Sequence, residues 1–331
     1  MRLLQLLCII AWLGVGSLSA QSYEQKQNQK SDTIKGSYFT VSGSVGSSSF
    51  DYKLNSLGEK GSRSGAMGYG IDLKYSYFFN SHWGVSTGVG ISHYGSKGKL
   101  KGSLSDEKYI PLGNQIDNDD EGRPRDFELR ARLTNLEEKQ TAYTLDIPLM
   151  LSYQTRFGEE QRWGMYGGLG VKLQIPVSSK FKIQKGSESQ FNVSGYYKDI
   201  PTDMGSPSNP PVPQHGYGTI TNPNETLKWN DDSKLKLGVA GTAELGVMVD
   251  IGSGMDLMLG GYVDYGFTDV KKNGDQKLFT APSVYHDMDY HTSRTPYIGK
   301  GIKYNGMLNS DVTDKVKLIS FGGKVALRFK L

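Results

Sequence analysis

From Val316 to Leu331 the chain alternates to its end. Ile319, Phe321, Val325, Leu327, Phe329 and Leu331 occupy one side of a two-residue period, and Ser320, Gly322, Lys324, Ala326, Arg328 and Lys330 occupy the other. Successive side chains leave a strand on opposite faces, so this period predicts a strand with one apolar and one polar face. Seven earlier stretches repeat the pattern. They begin near Gly36, Ala66, Trp83, Thr141, Arg162, Lys234 and Met255. In "AMGYGIDLKYSYFF" Met67, Tyr69, Ile71, Leu73, Tyr75, Tyr77 and Phe79 alternate with Gly68, Gly70, Asp72, Lys74 and Ser76. In "KLKLGVAGTAELGVMVDI" Leu235, Leu237, Val239, Leu245, Val247 and Val249 oppose Lys236, Gly238, Thr242, Glu244 and Asp250.

The second face decides which way each strand points. A water-facing sheet surface carries Thr, Lys and Glu, and glycine is disfavoured inside strands. Here that face holds glycine, serine and charges of both signs, a composition that suits the crowded interior of a narrow barrel. The apolar face is then left for lipid.

The spacing of the stretches adds topology. Strands two and three are joined by "NSH", four and five by about "FGEEQ", and six and seven by "GSG". The other joins span 48–65, 95–140, 177–233 and 269–315. Short turns alternating with long loops predict an all-β, eight-stranded antiparallel up-and-down transmembrane barrel, with periplasmic turns and extracellular loops. An even strand count puts both chain ends on the periplasmic side.

Composition fits this picture. Glycine numbers 42 of 331 residues, well above the usual share of roughly 7%. "MRLLQLLCIIAWLGVGSLSA" has a basic start, an apolar run and small residues before Gln21, which predicts a signal peptide over 1–20. Cys8 lies within it, so a chain cleaved there has no disulfide or thiol chemistry. Residues 21–35 are expected as a polar periplasmic tail and 36–331 as the barrel. Beyond the signal no apolar run is long enough for a helical span. A formal charge of +4 and no basic, motif-bearing cluster argue against nucleic acid.

Aromatic residues collect at two levels. Tyr77, Phe79, Trp83, Tyr153, Phe157, Trp163 and Phe329 map to the short-turn end, and Tyr69, Tyr143, Tyr265 and Phe267 toward the loop end. Rings at both interfaces are expected of a membrane barrel. In these features the chain resembles the small bacterial outer-membrane β-barrels of the OmpA and OmpX type. "TLDIPLMLSYQTRFGEEQRWGMYGGLGVKLQIPVSSKF" resembles in particular their PorT-like branch, with its D/E-I-P-L strand, short turn and Y-x-G-x-G strand. The resemblance implies an outer-membrane location and insertion by the barrel-assembly machinery. Family members commonly end on an aromatic residue. Here Leu331 is last and Phe329 stands two places before it.

The interior face is expected to carry Asp72, Asp146, Glu244 and Asp264 against Lys74, Lys172, Lys236, Lys324 and Arg328. Such a set either plugs a lumen only wide enough for side chains or lines a narrow ion path. Asp117, Asp119, Glu121, Gly122 and Glu128 approximate a calcium-loop spacing. His286, Asp287, Asp289 and His291 form a second oxygen- and nitrogen-rich group. Without flanking helices or regular order, both read as solvated loops, and neither a metal nor a cofactor is expected. His93 and Ser96 are the remaining pair with nucleophile-and-base character, and no acid partner is placed beside them. "SPSNPPVPQHGYG" favours exposed, extended backbone. The expectation is a non-enzymatic outer-membrane protein that contacts lipid and an unidentified envelope or extracellular protein. A narrow channel or a PorT-like accessory of a secretion machine is the alternative, and a lipid-modifying enzyme the third class.

Overall fold

The computed structural model describes residues 35–54, 61–103, 110–118, 124–158, 160–184, 190–197, 214–221, 230–272, 276–280 and 303–331. The expected signal peptide and almost all of the polar tail lie outside the described residues. Fourteen strands follow in order: β1 (Gly36–Asp51), β2 (Gly61–Phe78), β3 (Trp83–Ser103), β4 (Ile110–Asn118), β5 (Pro124–Phe157), β6 (Trp163–Ile183), β7 (Gln190–Tyr197), β8 (Gln214–Thr221), β9 (Asn230–Asp232), β10 (Gly238–Gly252), β11 (Met255–Gly266), β12 (Phe279–Thr280), β13 (Lys303–Tyr304) and β14 (Lys317–Lys330). Among the described residues the one helical element is a 3-10 turn, Met307–Asn309.

Eight of these strands close a ring. β5, β3, β2, β1, β14, β11, β10 and β6 pair as antiparallel neighbours, and β6 pairs back onto β5. The first and last strands meet along their length, from Tyr38 opposite Lys330 to Asp51 opposite Lys317. Each of the eight alternating stretches maps to one ring strand, although the sixth starts four residues before β10. The short turns are locally encoded. Ser253 and Gly254 both have positive φ, 55° and 72°, the geometry of a two-residue hairpin that matches strand twist. At the β2–β3 turn the Asn80 side chain accepts the backbone N–H groups of His82 (2.8 Å) and Trp83 (2.6 Å), as an Asx turn does.

The two faces of the ring point as the periodicity predicts. Met67, Ile71, Val89, Leu149, Leu169, Leu245 and Val263 are all exposed on the outer wall. A belt of large apolar side chains running around a protein is costly in water and is covered when it meets acyl chains. The inner face bends sharply, which explains its glycines. A Cβ at Gly46 would lie 2.0 Å from the Phe321 carbonyl oxygen, and one at Gly322 2.2 Å from that of Val45. The same holds at the Gly246–Gly260 pair, over which the Tyr166 ring lies.

The expected long joins are shorter than predicted, because strands run on past the apolar belt. β3 continues to Ser103, β5 starts at Pro124, and β4, β7 and β8 add hairpin strands to β5. Just past the belt, Lys97 and Lys99 on β3 both bridge to Glu137 on β5. Charge at these positions interrupts the apolar period next to the belt, so the barrel pattern ends there, although Phe127, Leu129, Ala131 and Leu133 alternate with Glu128, Arg130 and Arg132 farther along β5. The end of the 269–315 join is also ordered. Residues 303–316 fold back across the long-connection mouth, and Leu308 and Val316 pack against Phe50, Tyr52, Tyr94, Ala142 and Leu318 on the inner wall.

Leu149, 60% exposed at mid-belt, gives a direct test. Leu149→Arg is expected to cost about 2–4 kcal/mol of barrel stability in lipid vesicles, read by urea unfolding. Leu149→Met is expected to be near neutral.

Candidate functional site

The lumen is the site that the ring positions. Its contents form three ionic levels. Nearest the short turns, Asp256 accepts from Arg328 Nε (3.0 Å) and Nη2 (2.7 Å) and from Arg156 Nη2 (2.7 Å). Arg328 also donates to Gln154 Oε1 at 2.7 Å and lies over the Tyr38 ring at 4.5 Å. At mid-depth Lys324 reaches Glu244 (3.0 Å) and Asp72 (3.1 Å), and Lys74 pairs with the other Glu244 oxygen. Above these, Lys172 lies 2.7 Å from Asp264 and 3.7 Å from Asp146. Ser92 and Thr144 hydroxyls donate to Asp146, each at 2.7 Å. The levels are separated by cavities of about 30 Å³ and 20 Å³, space for a water or two each.

All but the β5–β6 pair bridge strands distant in sequence. β2 is tied to β10 and β14, β6 to β5 and β11, and β5 to β11 and β14. Removing water from a charge is costly unless partners replace it. Here every lumen carboxylate named above has a cation within 4.0 Å.

A different arrangement closes the long-connection mouth. Glu138 is fully buried there, beyond the aromatic level at the long-connection end. It accepts from the Tyr304 hydroxyl, from Met307 N–H (2.9 Å) and from Gln140 Nε2 (2.7 Å). Burial pushes its carboxyl above the usual carboxylate range, although these donors pull the other way. Lys271 clamps the same segment by donating to the carbonyls of Ser310 and Thr313, each at 2.6 Å.

The interior residues predicted from the sequence come together with one correction. Asp72, Lys74, Asp146, Lys172, Glu244, Asp264, Lys324 and Arg328 all face the lumen. Lys236 does not. It precedes β10, its side chain is 51% exposed, and it lies 3.6 Å from Asp269 outside the ring. The strand begins four residues later than its periodicity suggests, at Gly238. Asp256 and Arg156 were missed from the interior set, though both stand on the inward parity. Tyr77, Phe79, Trp83, Tyr153, Phe157 and Trp163 are exposed on the outer wall at the short-turn end, and Phe329 is half-buried there. His93 and Ser96 leave β3 on opposite faces. The His93 ring stacks on Tyr69 at 4.5 Å, while the Ser96 hydroxyl donates inward to the Ser64 carbonyl. Among the described residues no cluster of three metal-ligating side chains occurs. The His286–His291 group and most of the 117–128 group lie outside the described residues.

The sequence profile of a family described as "Outer membrane protein beta-barrel domain" matches residues 20–272. No curated protein matches the chain. Among solved structures it is similar to the outer membrane protein OprG from Pseudomonas aeruginosa, at 15% identity, 90% of this chain, 98% of that one and a TM-score of 0.35. It is also similar to Neisserial surface protein A, at 12% identity, 90% and 98% coverage and a TM-score of 0.31. A third is Ail, the attachment invasion locus protein of Yersinia pestis, at 12% identity, 89% and 100% coverage and a TM-score of 0.28.

Two predictions follow from the lumen and its mouth. Asp256→Ala leaves two arginines without their carboxylate and is expected to cost about 3–5 kcal/mol, measured by urea unfolding in vesicles. At the mouth, the folded carboxyl of Glu138 titrates above its unfolded value, so its neutral form is the one the fold prefers. Its contribution is therefore full below about pH 4.3, the usual glutamate value, and is lost as pH rises through the raised folded value. Hydrogen exchange in residues 303–316, corrected for intrinsic rates, is expected to speed up from pH 5 to pH 8. Glu138→Gln is expected to flatten that dependence.

Proposed function

This chain belongs to the outer membrane protein β-barrel domain family, and from that premise we propose that it is a non-enzymatic integral barrel serving at the cell surface through its long-connection end. The observation that carries this reading is the closure of the lumen. Three ionic levels fill it, and residues 303–316 cover its mouth. A wall closed this thoroughly has no route for solute, so the work falls to what stands outside the membrane. There the chain builds β4, β7, β8 and the extensions of β3 and β5 into a sheet rising from the barrel rim. Such a sheet offers edges and loops for a protein partner. On this reading that end is extracellular. The D-I-P-L strand and the Tyr166–Gly168 region support placing the chain near the PorT-like branch.

The channel alternative requires the 303–316 segment to leave the mouth and the ionic levels to part. Planar bilayers separate the readings. The purified protein is expected to give no steady conductance steps, and regular, ion-selective steps would overturn the closed-barrel reading. Replacing residues 190–221 with a short Gly-Ser linker is expected to leave the barrel folded by its gel mobility. The same replacement is expected to abolish recovery of partner proteins from cross-linked outer membranes.

A further inference from the structure

A bulge in β6 turns two lysines to the outside of the barrel. The register between β5 and β6 shifts where Tyr143 faces Ser178 and Thr144 faces Pro176, which leaves Val177 unpaired. One extra residue reverses the parity of everything beyond it. Phe181 and Ile183 therefore turn inward and are buried, while Lys180 and Lys182 turn outward and are exposed. Without the bulge the two apolar residues would face out and the lysines in.

The register then places these lysines beside others. Lys182 stands opposite Lys139 on β5, which stands opposite Lys97 on β3. Like charges directly across a sheet repel. Lys139, Lys180 and Lys182 make no ion pair among the described residues. The nearby acids are engaged or few. Glu137 is held by Lys99 (2.8 Å) and Lys97 (3.5 Å), and Asp231 lies 3.4 Å from Lys303. Asp232 faces Lys180 across the β6–β9 pair. The lysines and the two aspartates border an open concavity of about 510 Å³.

Directly below lies an aromatic group on the outer wall. The Tyr69 and Tyr143 hydroxyls are hydrogen-bonded at 2.8 Å, and His93 stacks on one ring and meets the other edge-on at 4.9 Å. These rings mark the edge of the apolar belt. Lys180 is level with Thr141, and Lys182 with Lys139. At about 3.4 Å per residue and a tilt of about 40°, these levels are about 5 and 10 Å beyond the rings. The headgroup layer occupies about 5–8 Å on each side of the hydrocarbon, and lysine stems can lean back into it.

We propose that Lys139, Lys180 and Lys182, above the Tyr69–His93–Tyr143 rings, form a binding site for the phosphate groups of an anionic lipid in the leaflet around the long-connection end. The lysines hold phosphate oxygens and the rings seat the start of the acyl chains. The inference rests on the proposed orientation for which leaflet supplies the lipid, but not for the binding itself.

Binding is tested with full-length protein in neutral detergent, by titrating bisphosphorylated lipid A and its dephosphorylated form and reading bound lipid by native mass spectrometry. The wild type is expected to retain the phosphorylated form selectively. The Lys139→Gln/Lys180→Gln/Lys182→Gln variant is expected to bind it about 100-fold more weakly, from about fivefold per lysine near an anionic surface. A Lys234→Gln/Lys236→Gln/Lys272→Gln control removes the same charge elsewhere and is expected to bind within twofold of wild type. Equal retention of both lipid forms, or equal loss in both triple variants, would overturn the site. Protease access in intact cells reads the orientation separately, so a failed orientation and a failed site give different results.

Discussion

In hydrocarbon no backbone N–H or C=O group can be left without a partner, because no water is present to take its place. That constraint explains why this chain closes on itself. The β1–β14 seam runs for fourteen residue pairs, and the β5–β6 seam seals the last gap. An eight-stranded ring is the small end of what closes, and smallness sets everything inside it. The wall curves so tightly that a methyl group at Gly46, Gly322, Gly246 or Gly260 would strike the neighbouring backbone. Glycine on the inner face is a consequence of closure, not of flexibility.

The same narrowness leaves a choice of lumen filling. Apolar side chains already serve the outer wall, where lipid rewards them. The inner wall is polar, and polar groups shut away from bulk water need partners. The three ionic levels meet that need by joining strands far apart in sequence, such as Lys74 on β2 with Glu244 on β10. An ion pair of this kind adds little net stability over a well-packed apolar filling. What it does is make one register costly to leave. A one-residue slip would move each charge to the lipid face.

Legibility in the sequence followed these same physics. The eight strands and the direction of their faces could be read, because burial in lipid on one side and a small lumen on the other impose strict alternation. The structure places the alternating charges from Asp72 to Arg328 in the lumen, Lys236 excepted. Lys236 failed because its stretch starts before the strand does, and Leu235 and Leu237 imitate the period outside it. The extensions of β3 and β6 failed because their outward positions carry Lys97, Lys99, Lys180 and Lys182, and the alternation of Phe127, Leu129, Ala131 and Leu133 in β5 was passed over because charged residues at 137–139 separate it from the belt. The Val177 bulge had no signal in the pattern at all. Beyond it Phe181 and Ile183 keep the parity of the outward set yet point inward. Tyr94 and Phe50, fully buried at the outer end of the lumen, also ran against the expectation of small inner residues, since the cavity they fill is shared with residues 303–316.

That mouth obeys a different rule from the levels beneath it. Below, carboxylates face cations at every depth, and five carboxylates balance five cations over the three levels together. Glu138 instead faces a phenol, an amide and a backbone N–H, all neutral donors. Neutral donors satisfy a carboxylate's lone pairs without returning the hydration that its charge has lost. Inside the mouth the contacts are therefore hydrogen bonds and apolar packing, and the ion pair of the covering segment, Lys303 with Asp231, lies exposed to water. The mouth stands outside the belt, where opening exposes the segment to water and breaks no seam of the ring. The barrel wall and the 303–316 segment are thus stabilised by separate interactions, and the covering can loosen while the wall remains closed.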